Sequence, residues 1–413
     1  MASKIGLAKM KLPRPTYYEF FAGGGMARAG LGEGWECLFA NDFDPMKAAT
    51  YTANWGDQHL LCEDVSKLRA SQLPGRADLV WASFPCQDLS LAGDYLGLGS
   101  ATSNILTRSG TFWPFWALMR GLKKEGRGPR IIVLENVYGA LTSRGGEDFS
   151  AICSALSGSD YSFGAIVVDA ERFVPQSRQR VFFIAIDTPT LAQEQIIQRI
   201  TAVAPTQAWH PKALLTAHSK LTDTAERKWL WWNPPTPVKR QMKLADVVQD
   251  APSGVRWNSD AETAKLLDMM TPLHRAKVTA AQLAESPVVG CLYKRTRRDV
   301  HGVKHQRAEI RFDGVAGCLR TPGGGSSRQT LLVINGPVIR SRLLSPIEAA
   351  RLMGLPDSYI LPTRYNDAYH VAGDGVCVAV VRHLSQYLFE PMMQIDSEPQ
   401  HLQAHAEYIN AFA

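Results

Sequence analysis

The chain has 413 residues, of which 45% are hydrophobic, 20% charged and 9% aromatic. This composition is typical of a folded protein with two or three domains and excludes an intrinsically disordered chain. No apolar run approaches the roughly 20 residues that a membrane-spanning helix needs, so we expect no membrane contact. The basic stretch Met1–Pro15 lacks the apolar core of a secretory signal, which predicts a cytoplasmic location.

The net charge of +6 comes from a short part of the chain. The segment Cys291–Thr330 carries nine Lys or Arg against three acids, so the remaining residues sum to zero. A localised basic segment indicates either a face that binds a polyanion or a solvated charged loop.

Seven cysteines are spread along the chain, and none of their spacings is typical of a zinc site or a redox pair. In a reducing compartment most of them are expected to be buried thiols. The sequence therefore predicts no metal centre.

The first half of the chain alternates short apolar runs with helical stretches, which predicts an α/β domain around a largely parallel sheet. The predicted strands are Tyr17–Phe21, Glu36–Ala40, Leu79–Ser83, Ile131–Leu134, Ala165–Asp169 and Val181–Ile186. The predicted helices between them are Pro45–Asn54, Thr111–Lys124 and Glu147–Leu156.

From about Asp187 to Gly336 the alternation fades, and the chain is rich in Pro, Trp and polar residues. We interpret this region as a second domain of irregular structure. A helix is then predicted over Ser345–Met353, because Ser345 and Glu348 form a capping-box pattern. A last helix is predicted over Val376–Leu388.

A glycine-rich turn, Glu19-Phe-Phe-Ala-Gly-Gly-Gly25, follows the first predicted strand. Glycines there let the backbone approach a ligand closely. At the end of the next strand Asp42 is placed to bind ribose hydroxyls, Phe43 to stack on an adenine, and Asp64 to accept from its amino group. The pattern predicts a nucleotide site or, alternatively, only a tight turn.

Polar residues follow two of the predicted strands and precede a third. The run Phe84-Pro85-Cys86-Gln87 follows one strand, Glu135 closes the next, and Arg178 and Arg180 come directly before the strand at Val181. Taken singly, Cys86 is a candidate buried thiol and the others ordinary strand-end residues. Since they are expected at one sheet edge, together they predict a catalytic site with a cysteine nucleophile.

The motifs FFAGGG, ANDFD, PCQDLS, ENV and QSRQR, followed by Arg342–Asp357 and Gly373-Asp-Gly-Val376, resemble the ordered motif set of the DNA cytosine-5 methyltransferases. The resemblance covers nearly the whole chain except its middle and both termini. It implies an α/β, Rossmann-like S-adenosylmethionine-dependent methyltransferase domain and a smaller, irregular target recognition domain. The implied boundaries are 1–186 with 373–413 for the catalytic domain, 187–340 for the target recognition domain, and 341–372 for a hinge and connecting motif.

The resemblance implies methyl transfer from S-adenosylmethionine to carbon 5 of cytosine at a specific sequence in duplex DNA. The base is flipped out of the helix, and Cys86 bonds to its carbon 6. Glu135 is the implied acid at N3, and Arg180 would bind the cytosine O2 and orient Glu135. Arg178 would position the catalytic loop or a phosphate.

The resemblance also implies two sets of binding residues. Those for the cofactor are Phe21, Ala22, Gly23, Gly25, Asp42, Phe43, Asp64, Val65, Pro85, Phe112, Asp374 and Val376. Those for DNA are Gln87, Arg295, Arg297, Arg298, Arg320, Gly324 and Arg328. The tryptophans of Trp229–Trp232 are interpreted as local core rather than a platform on which bases stack.

Two positions depart from the family pattern: Glu19 replaces the usual Asp, and Asp374 replaces the usual Asn. We expect Asp374 to alter cofactor affinity, because a carboxylate there would favour the ammonium of the cofactor's methionine part and repel its carboxylate.

The implied partner is double-stranded DNA, and the implied enzyme is a monomer of bacterial or phage origin. Whether a separately encoded restriction endonuclease accompanies it stays open. Two alternatives also stay open: a tRNA methyltransferase of a related branch, and a non-catalytic DNA-binding regulator that keeps the fold.

Overall fold

The computed structural model describes residues 13–85, 109–187, 191–299, 301–320 and 328–393. Three of the predicted site residues, Cys86, Gln87 and Gly324, lie outside these ranges.

Among the described residues, the largest sheet has seven strands in the order β3-β2-β1-β4-β5-β7-β6. Only β7 runs opposite to the other six strands, which confirms the prediction of a largely parallel sheet. The strands are β1 (Thr16–Phe20), β2 (Glu36–Asp42), β3 (Leu60–Cys62), β4 (Leu79–Ala82), β5 (Ile131–Val137), β6 (Tyr161–Asp169) and β7 (Gln179–Asp187).

Helices cover both faces of this sheet, and further helices belong to the middle of the chain. In chain order they are α1 (Met26–Leu31), α2 (Pro45–Trp55), α3 (Phe112–Lys124), α4 (Glu147–Ser157), α5 (Leu191–Ile200), α6 (Lys212–His218), α7 (Asp223–Arg227), α8 (Leu244–Val247), α9 (Asp260–Asp268), α10 (Pro272–Gln282), α11 (Pro346–Leu352), α12 (Tyr365–Asp374), α13 (Val378–Leu384) and α14 (Glu390–Met393). No helix in the described part of the chain is both long and apolar enough to cross a membrane.

The strands of the large sheet are apolar on both sides because alternate residues face opposite layers. Val133 and Phe182 belong to the core under α1 and α13, whereas Ile132 and Phe183 belong to the core under α3 and α4. Helices near the two ends of the chain therefore cover one face together. A hydrogen bond of 2.9 Å from Trp35 to the Ser385 hydroxyl adds to this contact.

The middle region is more regular than the sequence indicates. Two strands of two residues each, β8 (Thr201–Ala202) and β9 (Trp231–Trp232), pair with each other. A second sheet, antiparallel and ordered β11-β10-β12-β13, contains β10 (Val288–Arg298), β11 (Lys304–Arg311), β12 (Thr330–Asn335) and β13 (Val338–Leu343). Its inner face packs Leu292, Ile310 and Leu332 with residues of α9 and α10. Basic residues on its outer face obscure the alternation in the sequence.

The tryptophan cluster packs as core, as predicted. Trp232 is fully buried and donates its indole N–H to the carbonyl of Ile184 at 2.9 Å. Trp229 packs edge-on against Phe163 with ring centres 5.5 Å apart. Both residues thus join the middle region to the large sheet.

The segment after β13 begins a helix where the sequence predicts one. Ser345 caps α11, and Glu348 completes the capping box. Glu348 also forms a fully buried ion pair with Arg342 at 2.6 Å. This pair fixes how the chain returns from the second sheet to the first.

Candidate active site

The glycine-rich turn bends sharply as the chain leaves β1. Phe21, Gly23 and Gly25 all have positive φ angles, of 55°, 56° and 78°. A left-handed conformation is costly for Phe21 and is typical of strained turns at functional sites. The space beside the α-carbon of Gly23 is open, whereas Tyr51 and Trp55 fill the corresponding space at Gly25. A ligand can therefore approach the backbone at Gly23.

Asp42 supports this turn from the end of β2. Its two carboxylate oxygens accept the N–H groups of Gly23 at 2.8 Å and Asp44 at 2.9 Å. Burial raises the pKa of Asp42. A carboxylate accepts about four hydrogen bonds, so Asp42 has capacity left for ribose hydroxyls. Next to it, the Phe43 side chain is 66% exposed and leaves an aromatic face for an adenine. The arrangement fits a nucleoside.

The residues after β3 lie at the same edge of the sheet. The side-chain amide of Asn41 donates to the carbonyls of Leu61 at 2.9 Å and Glu63 at 2.8 Å, which fixes the chain before Asp64. Asp64 accepts the N–H of Ser66 at 2.8 Å, and this bond lowers the pKa of Asp64. The neighbouring Val65 is buried.

Two further residues predicted to bind the cofactor, Pro85 and Phe112, differ in how deeply they are buried. Pro85 is half-buried just beyond β4. Phe112 is fully buried, with its ring 5.4 Å from that of Phe84 and stacked on Trp116 at 6.0 Å. The side chain of Phe112 belongs to the core under α3, and its contact with the cofactor stays a prediction.

Glu135 and Arg180 meet at the predicted edge. Arg180 pairs with Val137 across β5 and β7, so Glu135, two residues earlier on β5, faces the same side of the sheet. The Nε of Arg180 lies 3.1 Å from a carboxylate oxygen of Glu135, which is 6% exposed. The structure thus forms the carboxyl–guanidinium pair that the sequence predicts.

Asn136 was not predicted to have a role, but the structure gives it one. Its amide donates to the carbonyl of Phe84 at 3.1 Å. Phe84 precedes Cys86 by two residues, so β5 holds the chain that leads into Cys86. Asn136 is part of the ENV motif, but its partner Phe84 is 52 residues away in the chain, and no motif relates the two.

Arg178 is buried, whereas the neighbouring Glu135–Arg180 pair lies at the edge of the sheet. The residue is 2% exposed, and its guanidinium donates to the carbonyls of Leu319 at 3.2 Å, Gly373 at 3.0 Å and Gly375 at 2.7 Å. The expected contact of Arg178 with the catalytic loop or a phosphate stays a prediction. In this structure its terminal nitrogens bind backbone carbonyls, so Arg178 joins β7 to the middle region and to the end of α12.

A second thiol accompanies the two arginines. The Sγ of Cys318 lies 3.5 Å from Nη1 of Arg178. Burial alone would raise the pKa of Cys318, but Arg178 and Arg180 outweigh burial and hold it below its usual value. Val376, also predicted at the site, lines a small cavity with Arg178 and Arg180.

Asp374 forms an ion pair that the sequence did not indicate. Its carboxylate lies 2.7 Å from the ammonium of Lys47. The ammonium of Lys47 therefore offsets the negative charge of Asp374 that was expected to repel the cofactor's carboxylate.

The predicted DNA-contacting arginines divide between two faces of the second sheet. Arg295 and Arg297 lie opposite Arg307 and His305 and share the outer face, here called the basic face. Arg298 alternates to the other side and donates to the carbonyl of Gly302 at 3.0 Å.

Two further arginines, Arg320 and Arg328, were predicted to contact DNA. Arg320 is exposed. Arg328 is half-buried, with its guanidinium 5.6 Å from the ring centre of Tyr365.

Within the described ranges no three His, Cys, Asp or Glu side chains group as metal ligands.

Comparison with known proteins gives a match along most of the chain. The family model for C-5 cytosine-specific DNA methylase matches residues 16–390. The type II methyltransferase M.BsuFI of Bacillus subtilis is 33% identical over 171 residues, which cover 41% of this chain and 38% of that protein. The type II methyltransferase M.HhaI of Haemophilus parahaemolyticus is 24% identical over 386 residues, covering 92% and 96%.

Two solved structures share the fold. The Dnmt2 methyltransferase of S. pombe superposes with a TM-score of 0.55 at 16% identity and covers 92% of this chain and 100% of that chain. A putative DNA modification methyltransferase encoded within an E. coli prophage gives a TM-score of 0.51 at 18% identity, with 92% and 99% covered.

Glu19 is a buried acid beneath the glycine-rich turn. It is 1% exposed, and its Oε2 has no hydrogen-bond partner. Burial raises the pKa of Glu19 from 4.5 to about 8, against the opposing effect of Arg28. The folded protein therefore holds a proton on Glu19 at pH values where the unfolded chain has lost it.

This proton predicts a pH dependence of stability. Because the folded state binds the extra proton, the free energy of unfolding falls as pH rises from about 4.5 to about 8. Glu19→Gln, which is neutral and of similar size, should remove up to about 1.4 kcal/mol per pH unit of that slope. Urea unfolding at several pH values measures it. The exposed Glu36→Gln is the control, and equal slopes in wild type and Glu19→Gln would contradict the prediction.

Proposed function

Because the chain belongs to the C-5 cytosine-specific DNA methylase family and is a DNA cytosine-5 methyltransferase, we propose that it acts at a specific sequence of duplex DNA, on a flipped cytosine, through a covalent bond from Cys86. The observation that carries this proposal is the Glu135–Arg180 pair at 3.1 Å, held beside the chain that leads into Cys86.

The proposed chemistry begins with the thiolate of Cys86 at carbon 6 of the cytosine. Its addition breaks the aromaticity of the ring and makes carbon 5 nucleophilic, and Cys is more nucleophilic than Ser at neutral pH. Negative charge develops on the ring, so Glu135 protonates or hydrogen-bonds N3. Arg180, already bound to Glu135, binds O2 and keeps the carboxyl in place. After carbon 5 is methylated, a base removes its proton and Cys86 leaves.

When bound, S-adenosylmethionine supplies a methyl group on a positively charged sulfur. The open space at Gly23, the spare acceptors of Asp42 and the exposed ring of Phe43 support binding of its adenosine part. Asp64, Val65, Pro85, Asp374 and Val376 are proposed to complete the pocket. Apart from Asp374 and Val376, at the end of α12, these groups lie at the carboxyl ends of β1 to β4, where ligands bind in open α/β sheets.

The basic face is proposed to contact the DNA backbone and base edges. Arg295 and Arg307 stand opposite each other across β10 and β11, a repulsive arrangement that a polyanion would relieve. Arg297 bonds Glu309 at 2.6 Å, and the ring of Tyr293 lies 4.5 Å from the guanidinium of Arg295. These contacts hold the guanidinium groups in position before DNA binds.

Two relatives that match 92% and 91% of this chain are named type II methyltransferases. We therefore propose a role in a restriction-modification system, with an endonuclease of the same sequence specificity as the partner.

The proposal predicts the substrate. Transfer of labelled methyl groups from S-adenosylmethionine should occur to duplex DNA and not to tRNA, and Cys86→Ala should abolish it. Scintillation counting of both nucleic acids measures transfer, and an exposed Cys62→Ala variant is the control. Equal labelling of tRNA would favour the RNA enzyme, and no transfer to any DNA pool would favour a regulator.

The basic face predicts the salt dependence of binding. If Arg295 and Arg307 contact phosphates, replacing both by Ala should reduce the slope of log affinity against log salt by roughly 2. Fluorescence anisotropy with labelled duplex at several salt concentrations gives the slope. The double variant Lys265→Ala and Lys277→Ala, on α9 and α10, is the matched control. An unchanged slope in the arginine variant would exclude this face from the interface.

A further inference from the structure

An ion pair joins the two ends of the catalytic region beside the proposed cofactor pocket. The ammonium of Lys47, the third residue of α2, lies 2.7 Å from a carboxylate oxygen of Asp374, the last residue of α12. The Lys47 side chain is 18% exposed and that of Asp374 38%. Partial burial makes such a pair stronger than one fully in water.

Lys47 also faces two other acids. Asp42 lies at the end of β2, and Asp44 caps the start of α2. Burial alone would lower the pKa of Lys47, but Asp374, Asp42 and Asp44 outweigh it and raise the pKa. One ammonium therefore stands among three carboxylates, and the group around it is negative overall.

This acidic group borders the place where the cofactor is proposed to bind. Asp42 is the same residue that accepts the N–H of Gly23 in the glycine-rich turn. S-adenosylmethionine and its product both carry a carboxylate in their amino-acid part. An acidic residue at position 374 without a counter-charge would repel that group.

We propose that Lys47 is a positioning residue for the cofactor, acting through Asp374: it neutralises this carboxylate so that the pocket accepts the carboxylate of the cofactor's amino-acid part. The inference rests on the proposed cofactor site. It assigns a function to a lysine that no motif contains, three residues after the ANDFD motif, and it explains how an acid is tolerated at position 374.

A double-mutant cycle measures the coupling. S-adenosylhomocysteine is titrated calorimetrically into wild type, Lys47→Met, Asp374→Asn and the double variant. Lys47→Met should weaken binding about tenfold in the wild-type background, a coupling usual for charged residues in contact. In the Asp374→Asn background the same change should weaken binding less than about twofold, because the uncompensated charge is gone.

Two controls separate this effect from a general loss of stability. Adenosine lacks the amino-acid part, so its affinity should stay the same in Lys47→Met. Lys123→Met removes a pair of similar burial, Lys123–Asp187 at 2.8 Å with side chains 29% and 32% exposed, that joins α3 to the end of β7. It should lower Tm comparably and leave affinity for S-adenosylhomocysteine unchanged.

The outcomes are distinct. Equal effects of Lys47→Met in the two backgrounds, or equal losses for adenosine and S-adenosylhomocysteine, would overturn the pairing while the cofactor site stands. Wild type that does not bind S-adenosylhomocysteine would overturn both. If Lys47→Met does not fold, Lys47→Arg tests the same point, since it keeps the charge and should retain wild-type affinity.

Discussion

The guanidinium of Arg178 connects the parts of the molecule that must meet at the active edge. It is buried directly before β7 and binds backbone carbonyls of Leu319 in the middle region and of Gly373 and Gly375 at the C-terminal end of helix α12. A buried charge is unfavourable unless polar groups surround it, so these segments are held against the arginine and against each other. Two residues later Arg180 is set opposite Val137 and reaches Glu135.

The residues proposed to bind the cofactor and those proposed to act on the cytosine lie at adjacent strand ends of a rigid sheet. Residues Ile131–Leu134 of β5 are fully buried, so the strand that carries Glu135 and Asn136 has little freedom to shift. Most residues of the proposed cofactor site follow β1, β2 and β3, and the chain that leads into Cys86 follows β4, between these strands and β5. Sites supported by packed strands in this way hold reacting groups more accurately than loops alone.

Sequence reasoning identified six of the seven strands of the large sheet to within a few residues at most strand ends, because these strands are continuous apolar runs. It missed β3, which has only three residues. The predicted Tyr17–Phe21 begins one residue early in the structure, at Thr16, and ends at Phe20. Strand β6 begins at Tyr161, four residues before the predicted start at Ala165. The prediction was late because Ser162 and Gly164 interrupt the apolar pattern. The last predicted helix, Val376–Leu388, begins at Val378, and its regular part ends at Leu384 before a wider helical turn.

What the sequence did not reveal depends on contacts between distant residues. The Glu135–Arg180 pair was predictable from strand-end positions, whereas the inward direction of Arg178 and Phe112 depends on packing that no local pattern records. Lys47 and Asp374 are separated by 327 positions, and no motif contains the lysine. The second sheet was missed because the far halves of β10 and β11 carry basic residues on their outer face, whereas Cys291 and Leu331 on that same face are buried against the large sheet, so no simple alternation is visible.

The central claim is that one cysteine, Cys86, attacks cytosine at the edge formed by Glu135 and Arg180. Duplex DNA that contains 5-fluorocytosine tests it most directly, because fluorine at carbon 5 blocks the removal of a proton that releases the enzyme. With S-adenosylmethionine present, mass spectrometry should find one DNA strand bonded to the wild-type protein and to Cys318→Ala, but none bonded to Cys86→Ala. An adduct that persists in Cys86→Ala, or that disappears only in Cys318→Ala, would contradict the account.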